Sequence, residues 1–420
     1  MTTFVPGEVS TVFERDDMPR SSYSGQHSLR EMTDALQRWM SKQEFRSWDP
    51  YDGLTSPWLH GLQRSQLAAR VALQVVKRSP VNLRPLLGIE RRVYTKSLSD
   101  LASASLLLHR LDPDTDALVH ARTFLAQLRH RAHDDGHGRS WGMDLPYASR
   151  FAVARADTPN LFQTINAALA FMDAYDLLGE ASDLELAVGA IEWLQQRLGT
   201  IEADADHVVW RYYPGEDAVV YNVNALAALL LTRVGLATQR DDLLGLAERT
   251  LAFVANEQNA DGSWYYARGA RGRWIDGFHS GYVLEALLEC TARTPNRRAV
   301  GALERGAEFF DAHLLEPSGL PRYTNDHLYP IEVQNCAQAI QLLAKLGQHH
   351  PDMLRLARQA YEQSARHLLV WRRAGTQAYF RLQRGRWLRN DLAAMRWGVA
   401  PMLLALQHLR NVEAGGTSPV

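Results

Sequence analysis

The chain has 420 residues, 46% hydrophobic and 22% charged, enough to bury a large core and typical of an ordinary globular protein. Its 46 Lys and Arg against 47 Asp and Glu leave a net charge of −1. That removes any global electrostatic reason to expect nucleic acid or an anionic membrane, and leaves only local patches open. The two cysteines, Cys290 and Cys336, sit in apolar helical patterns, which argues against a disulfide framework.

Along the chain, the first twenty residues, MTTFVPGEVSTVFERDDMPR, carry acidic residues early and no apolar stretch of signal-peptide length. No run of about 18 apolar residues occurs further on. A cytoplasmic protein with no transmembrane segment is expected. After a mobile start, a helix is predicted near 28–42. From residue 60 onward amphipathic helices alternate with loops of two lengths; Leu226, Leu229, Leu230 and Val234 show the three-and-four spacing. Short links at 111–114, 179–182, 236–241, 293–297 and 347–352 carry the Gly, Pro, Asn and Asp of tight helix–helix turns. The long links each bring an aromatic residue: Trp141, Trp210, Trp264, Tyr323 and Tyr379, spaced by 69, 54, 59 and 56 residues. Such a recurrence marks repeated supersecondary units.

Pairing the helices gives 62–78 with 96–110, 114–131 with 160–178, 181–199 with 221–236, 240–258 with 277–293, 298–313 with 333–347, and 351–371 with 393–410. Six hairpins close an all-α (α/α)6 toroid. The expected organisation is an N-terminal extension and first pocket loop over 1–60, the toroid over 61–412, and a flexible tail over 413–420.

In this topology every long loop links an outer helix to its inner partner, so the loops gather on one face. The inner helices begin there and present free N–H groups and the positive ends of their dipoles. An anionic or oxygen-rich ligand is the expectation, with loop aromatics as flat walls.

The polar loop residues supply candidates. WDPYDGLTSP carries Asp52 in a setting that a tight turn would also use; NLRPLLG carries Arg84, and Lys96 opens an inner helix. HDDGHGRSW has the composition of a metal patch without a regular ligand spacing; DLPYASR brings Tyr147. YYPGEDAVVYNVN offers Glu216, Asn222 and Asn224. WIDGFHSGY is the densest constellation, with Trp274, Asp276 and His279: Asp276 caps a helix or acts as acid or base, and His279 has the side chain suited to proton transfer near neutral pH. RYTNDHLYPIEVQNCAQ adds Arg322, Tyr329 and Glu332, and RWLRNDLAAMRW adds Arg396. A two-carboxylate glycosidase pair could be drawn from Asp52, Glu216, Asp276 and Glu332. A Cys336–His279–Asp276 zinc set is the metal alternative.

The motifs DPYDGLTSP, NLRPLLGI, LPY…TPNLFQT, YYPGEDAVVYNVN, DGSW…WIDGFHSGY, YPIEVQNCAQ and MRW, colinear over roughly residues 45–410, resemble a bacterial family often encoded in extracellular-polysaccharide loci, whose members look like VpsJ-type biosynthesis proteins. The resemblance implies an (α/α) toroid shaped like six-hairpin glycosidases, glucuronyl C5-epimerases and terpenoid cyclase rings. Some members carry the name δ-aminolevulinic acid dehydratase; that enzyme is a TIM barrel, and no alternating strand–helix pattern is visible here.

The leading expectation is a carbohydrate-active or glycan-binding protein of polysaccharide assembly, acting as an epimerase, lyase or hydrolase on a glycan or lipid-linked sugar. It would use no cofactor and no metal, and polysaccharide-assembly enzymes would be its protein partners. Asp276 and His279 would handle protons, with Glu216 and Glu332 as alternates. Asp52, Arg84, Tyr147, Asn222, Arg322, Tyr329 and Arg396 would bind substrate, the arginines holding its anionic group. Trp141, Trp264 and Trp274 would form the walls. An isoprenoid-handling ring, with a deep apolar pocket, and a non-catalytic scaffold are the alternatives.

Overall fold

The computed structural model describes residues 28–79, 81–149, 153–348 and 350–416. The mobile start expected over residues 1–27 and the last four residues of the expected tail lie outside them. Thirteen α-helices occur among the described residues: α1 (Leu29–Lys42), α2 (Gln66–Arg78), α3 (Thr95–Leu111), α4 (Ala117–His130), α5 (Leu161–Leu178), α6 (Ala181–Trp193), α7 (Tyr221–Thr238), α8 (Asp241–Asn256), α9 (Gly277–Arg293), α10 (Arg297–Leu314), α11 (Val333–Leu346), α12 (Pro351–Leu368) and α13 (Ala400–Glu413). None is long and apolar enough to cross a membrane.

Six of them form a closed inner ring. Helix α3 packs against α5, α5 against α7, α7 against α9, α9 against α11, α11 against α13, and α13 returns to α3. Inner helices are buried on all sides; in α7 every residue from Tyr221 to Gly235 is buried. Outer helices bury one stripe, as α10 does with Ala299, Ala302, Gly306, Phe309, Phe310 and Leu314. Outer helices α4, α6, α8, α10 and α12 each follow an inner helix across a short turn and lie against it. Close approach of α9 to α11 depends on glycine: a Cβ on Gly277 would sit 2.4 Å from Asn335 Oδ1, and one on Gly281 2.5 Å from Gln338 Cγ. The molecule is an (α/α)6 toroid, as expected.

One outer position differs from the sequence expectation. Helix α2, expected as the first outer helix, packs against the short helical turns at Asp52–Thr55 and His60–Arg64 and against the strand Tyr147–Ala148. Its buried side chains Ala69, Ala72 and Leu73 belong to a small cluster apart from the main core. The sixth outer place is taken by α1, whose Leu29, Met32, Leu36 and Met40 enter that core. Helix α1 starts at a capping box, Ser28 with Glu31, and lies beside α13. The 43–94 segment is therefore the first long loop, with α2 inside it.

Contacts between distant parts of the chain complete the ring. Arg410 donates to Thr33 Oγ1 at 2.8 Å, the Met395 N–H donates to Ser47 Oγ at 2.8 Å, and Arg30 pairs with Asp112 at 2.6 Å. Strands are few, short and antiparallel, and the longest pair Leu369–Arg372 with Gln377–Phe380 and Thr200–Ala203 with Val208–Trp210.

Candidate functional site

A cavity opens on the axis at the long-loop face, with about 950 Å3 of space open to solvent. Its floor follows a positional rule. The second residue of each inner segment faces it: Lys96, Phe162, Asn222, Phe278, Gln334 and, in the π turn Met395–Val399 that leads into α13, Arg396. Gln163, His279 and Trp397, the third residues, join them. Side chains in a helix's first turn project past its N-terminus, so six N-termini aimed at one axis place six such residues together. Asn160, Asp276 and Glu332 cap α5, α9 and α11 and set where these turns begin.

Aromatic rings wall the space. Tyr51 meets Tyr147 edge-on at 5.4 Å and Trp397 at 5.2 Å; Phe278 meets Trp397 at 5.6 Å and Tyr282 at 5.4 Å; Tyr212 lies against Tyr213. Burial raises the hydroxyls of Tyr51, Tyr147, Tyr212 and Tyr266 well above the ordinary tyrosine value. They remain protonated and can donate hydrogen bonds.

His279 is the best-positioned proton carrier. Asp276 accepts from the His279 backbone N–H at 2.8 Å and lies 2.7 and 2.9 Å from its ring Nδ1. Trp274 Nε1 donates to the same carboxylate at 2.9 Å and stacks on Tyr266 at 4.4 Å. Burial pushes the Asp276 carboxyl up, but the adjacent His279, with hydrogen bonds from His279 and Trp274, outweighs it and holds the group below its ordinary value. A carboxylate on Nδ1 fixes the ring's tautomer and leaves Nε2 as the exchanging atom. His279 lines the cavity and Asp276 stands behind it.

Three buried acceptors on the cavity wall have no hydrogen-bond partner: Gln163 Oε1, Glu216 Oε1 and Asn222 Oδ1. Burial, then the neighbouring Asp217, raises the Glu216 carboxyl. Glu332 is buried behind Trp397 as the α11 cap and accepts from the Asn335 N–H at 2.9 Å; burial pushes it up to about 7 against that hydrogen bond.

Of the expected site residues, the structure brings His279, Glu216, Asn222, Tyr147 and Arg396 to the cavity and places the others elsewhere. Asp52 and Arg84 form a buried ion pair, Nε to both carboxylate oxygens at 2.8 and 2.9 Å, away from the cavity. Burial pushes Asp52 up to about 6 against the pull of Arg84. Arg396 is clamped by Asp49 at 2.7 and 2.8 Å, so it offers no open fork to an anion, and Arg322 pairs through one nitrogen with Glu316 at 2.6 Å and does not line the cavity. Trp141 and Trp264 are core residues: their indole N–H groups donate to the carbonyls of Leu128 and Val254, both at 2.8 Å, and pin each long loop to the outer helix before it. The third loop tryptophan, Trp210, is also buried, but its indole N–H donates to Thr250 Oγ1 on the following outer helix α8 at 3.2 Å. Tyr329 is exposed, and Trp274 touches the site only through Asp276 and Tyr266. Among the described residues no three His, Cys, Asp or Glu side chains are grouped to hold a metal, and Cys336 is buried on α11.

Sequence reasoning did not single out Phe162, Gln163, Tyr266, Phe278 and Gln334 as site residues. For all but the loop residue Tyr266 the findable signal was their place, two or three residues into an inner helix.

Below the floor a second chamber continues along the axis and shares Lys96, Tyr282 and Gln334 with the first. Its walls are charged. Lys345 bonds Glu285 and Glu289, Lys96 bonds Asp100, and Arg233 reaches Asp173 at 2.7 Å and Asp176 at 2.8 Å. Eleven positions beyond the floor residues Phe162, Asn222, Phe278 and Gln334 stand Asp173, Arg233, Glu289 and Lys345, a belt of alternating sign across four inner helices.

The chain matches no protein-family model and no curated protein. Solved structures with the same architecture do match. It is similar to cellobiose 2-epimerase from Bacillus thermoamylovorans (9% identity, 77% of this chain and 90% of that one, TM-score 0.61). It is also similar to a family GH76 α-mannanase from Bacteroides thetaiotaomicron (12%, 87% and 99%, TM-score 0.60). A family 88 glycosyl hydrolase from Bacteroides vulgatus follows at 11%, 75% and 91%, with TM-score 0.53. At these identities the likeness establishes the fold.

Proposed function

We propose that this chain is a carbohydrate-active enzyme that moves a proton on a neutral sugar, as a sugar epimerase or isomerase does. The carrying observation is the set of three partnerless acceptors, Gln163 Oε1, Glu216 Oε1 and Asn222 Oδ1, in one aromatic-walled cavity. Buried acceptors without donors cost about 1–3 kcal/mol each, and a ligand rich in hydroxyls supplies those donors while its ring packs on the tyrosines. With the three arginines already ion-paired, an uncharged sugar fits better than a uronic acid. Similar folds that act on sugars, an epimerase and a mannanase among them, support the substrate class.

In this reading His279 Nε2 takes the proton from the carbon beside a sugar carbonyl, with Asp276 stabilising the imidazolium that forms. Tyrosine hydroxyls donate to the oxyanion that develops, and Glu216 is the second acid/base group. Glycoside hydrolysis is less well served, because it uses two carboxylates flanking the bond. Glu216 is the one carboxylate among the described residues that line the cavity. The motif resemblance to polysaccharide-locus proteins favours a role in extracellular-polysaccharide assembly, alongside the other enzymes of that pathway.

The test incubates the chain with reducing hexoses and disaccharides in deuterated water and follows them by proton NMR. Deuterium entering the carbon next to the carbonyl, and slowed at least about a hundredfold in His279→Gln, supports the proposal. New reducing ends without deuterium would make it a hydrolase. Saturation transfer to a bound sugar with no turnover would make it a binding protein.

A further inference from the structure

The stretch from Gly53 to Ile89 contains no Asp or Glu but has Arg64, Arg70, Lys77, Arg78 and Arg84. Only Arg84 is neutralised by a buried carboxylate, that of Asp52. The same stretch holds half of the exposed large hydrophobic side chains of the described residues, seven of fourteen. Leu67, Val71 and Val75, four residues apart, make an outward stripe on α2, opposite the buried Ala69, Leu73 and Val76. Trp58, in the segment that leads into α2, is 77% exposed and Leu86 is 79% exposed. Asn390 donates to the Lys77 carbonyl at 3.2 Å, which sets the Gln383–Asn390 hairpin against the end of α2. That hairpin's tip adds Trp387, 74% exposed, with the Arg386 guanidinium over its ring.

We propose that this face docks the protein onto an anionic lipid surface. Indoles and aliphatic side chains flanked by arginines suit the headgroup layer, where apolar groups enter the acyl boundary and cations meet lipid phosphates. A second copy is disfavoured by charge: a two-fold contact through this face would set arginines against arginines. Of the near acidic residues, Asp52 is held by Arg84 and Asp391 by Arg381 and Arg389, which leaves Glu90, at the end of the stretch, against Arg64, Arg70, Arg78 and Arg386. The docking face does not depend on the sugar reading. It lies directly behind the cavity wall, where Lys77 Nζ donates to Tyr51 Oη at 2.7 Å.

The test is flotation of the full chain with phosphatidylcholine vesicles, with and without about 30 mol% phosphatidylglycerol. The expected result is binding to the anionic vesicles alone, mostly released by about 0.5 M NaCl. It should weaken about tenfold in Leu67→Ser/Val71→Ser/Val75→Ser and in Trp58→Ala/Trp387→Ala, with unchanged circular dichroism. If the triple variant does not fold, Arg64→Gln/Arg70→Gln/Arg386→Gln carries the test through the loss of anionic-vesicle binding. A folded chain that floats with neither vesicle overturns the proposal. So does a concentration-dependent dimer in sedimentation that the same substitutions dissolve, which would assign the face to a second copy.

Discussion

The two chambers on the ring axis are built by the same six helices, and they treat polar groups in opposite ways. In the lower chamber Asp173, Arg233, Glu285, Glu289 and Lys345 find their countercharges on neighbouring helices, although the single atoms Asp100 Oδ2 and Arg233 Nε make no hydrogen bond. In the upper one Gln163, Glu216 and Asn222 keep buried oxygens with no donor. A buried charge that is already satisfied holds helices in register; a buried acceptor left unsatisfied beside open space waits for a ligand. Being polar and buried does not separate scaffold from site. What separates them is whether the partner is already inside the molecule.

The comparison can be broken at either end. The largest effect is expected above the floor: His279→Gln should lower turnover about 10²–10⁴-fold while the melting temperature changes little. Below the floor, Lys345→Met leaves Glu285 buried without its cation and Glu289 with Arg293 alone, and should cost about 3–5 kcal/mol in urea unfolding. Replacing both glutamates by Gln in the same chain should recover much of that, without changing turnover at permissive temperature.

Between these two, Glu332 has a pKa pushed up to about 7 from an ordinary 4.5. Its contribution to stability is therefore complete below the unfolded value and is lost as pH rises through the folded one. Glu332→Gln lacks that loss, so its unfolding free energy should gain on the parent by up to about 3 kcal/mol between about pH 5 and pH 8. A smaller effect is expected at Asn222→Ala: sugar affinity by calorimetry should fall about tenfold with stability unchanged or slightly raised, because an unsatisfied oxygen is removed. Smallest is Trp141→Phe, where losing one hydrogen bond to Leu128 should cost about 1 kcal/mol and leave kinetics alone.

Much of the ring was legible in the sequence, because helical periodicity and short Gly- and Pro-marked returns are local signals. The identity of the first outer helix was not. Both α1 and α2 carry an amphipathic pattern and a serine cap, Ser28 and Ser65, and only packing decides which one joins the ring. His279, Glu216 and Asn222 were legible because polar residues at the mouths of apolar helices stand out. Asp52 and Arg84 were misread as ligand groups because their pairing spans 32 residues. Trp141 and Trp264 were misread because an indole near a glycine loop suits a sugar platform and a core plug equally; the carbonyl that receives the N–H tells them apart. Phe162 and Phe278 went unnoticed because apolar residues in an apolar helix carry no mark of their own.

One seam of the ring joins residues far apart in the chain. The bonds from Met395, Arg396 and Arg410 reach back to Ser47, Asp49 and Thr33 across 348, 347 and 377 residues. Every other neighbour around the circle is made by hairpins that follow one another directly. During synthesis these can stack in order of appearance, while α1 and the flank of α3 wait for α13. Arg396 and Trp397 arrive with it, so the upper chamber gains its last wall only when the circle shuts. The chamber has no half-built form: ring closure and the birth of its last wall are a single event in time.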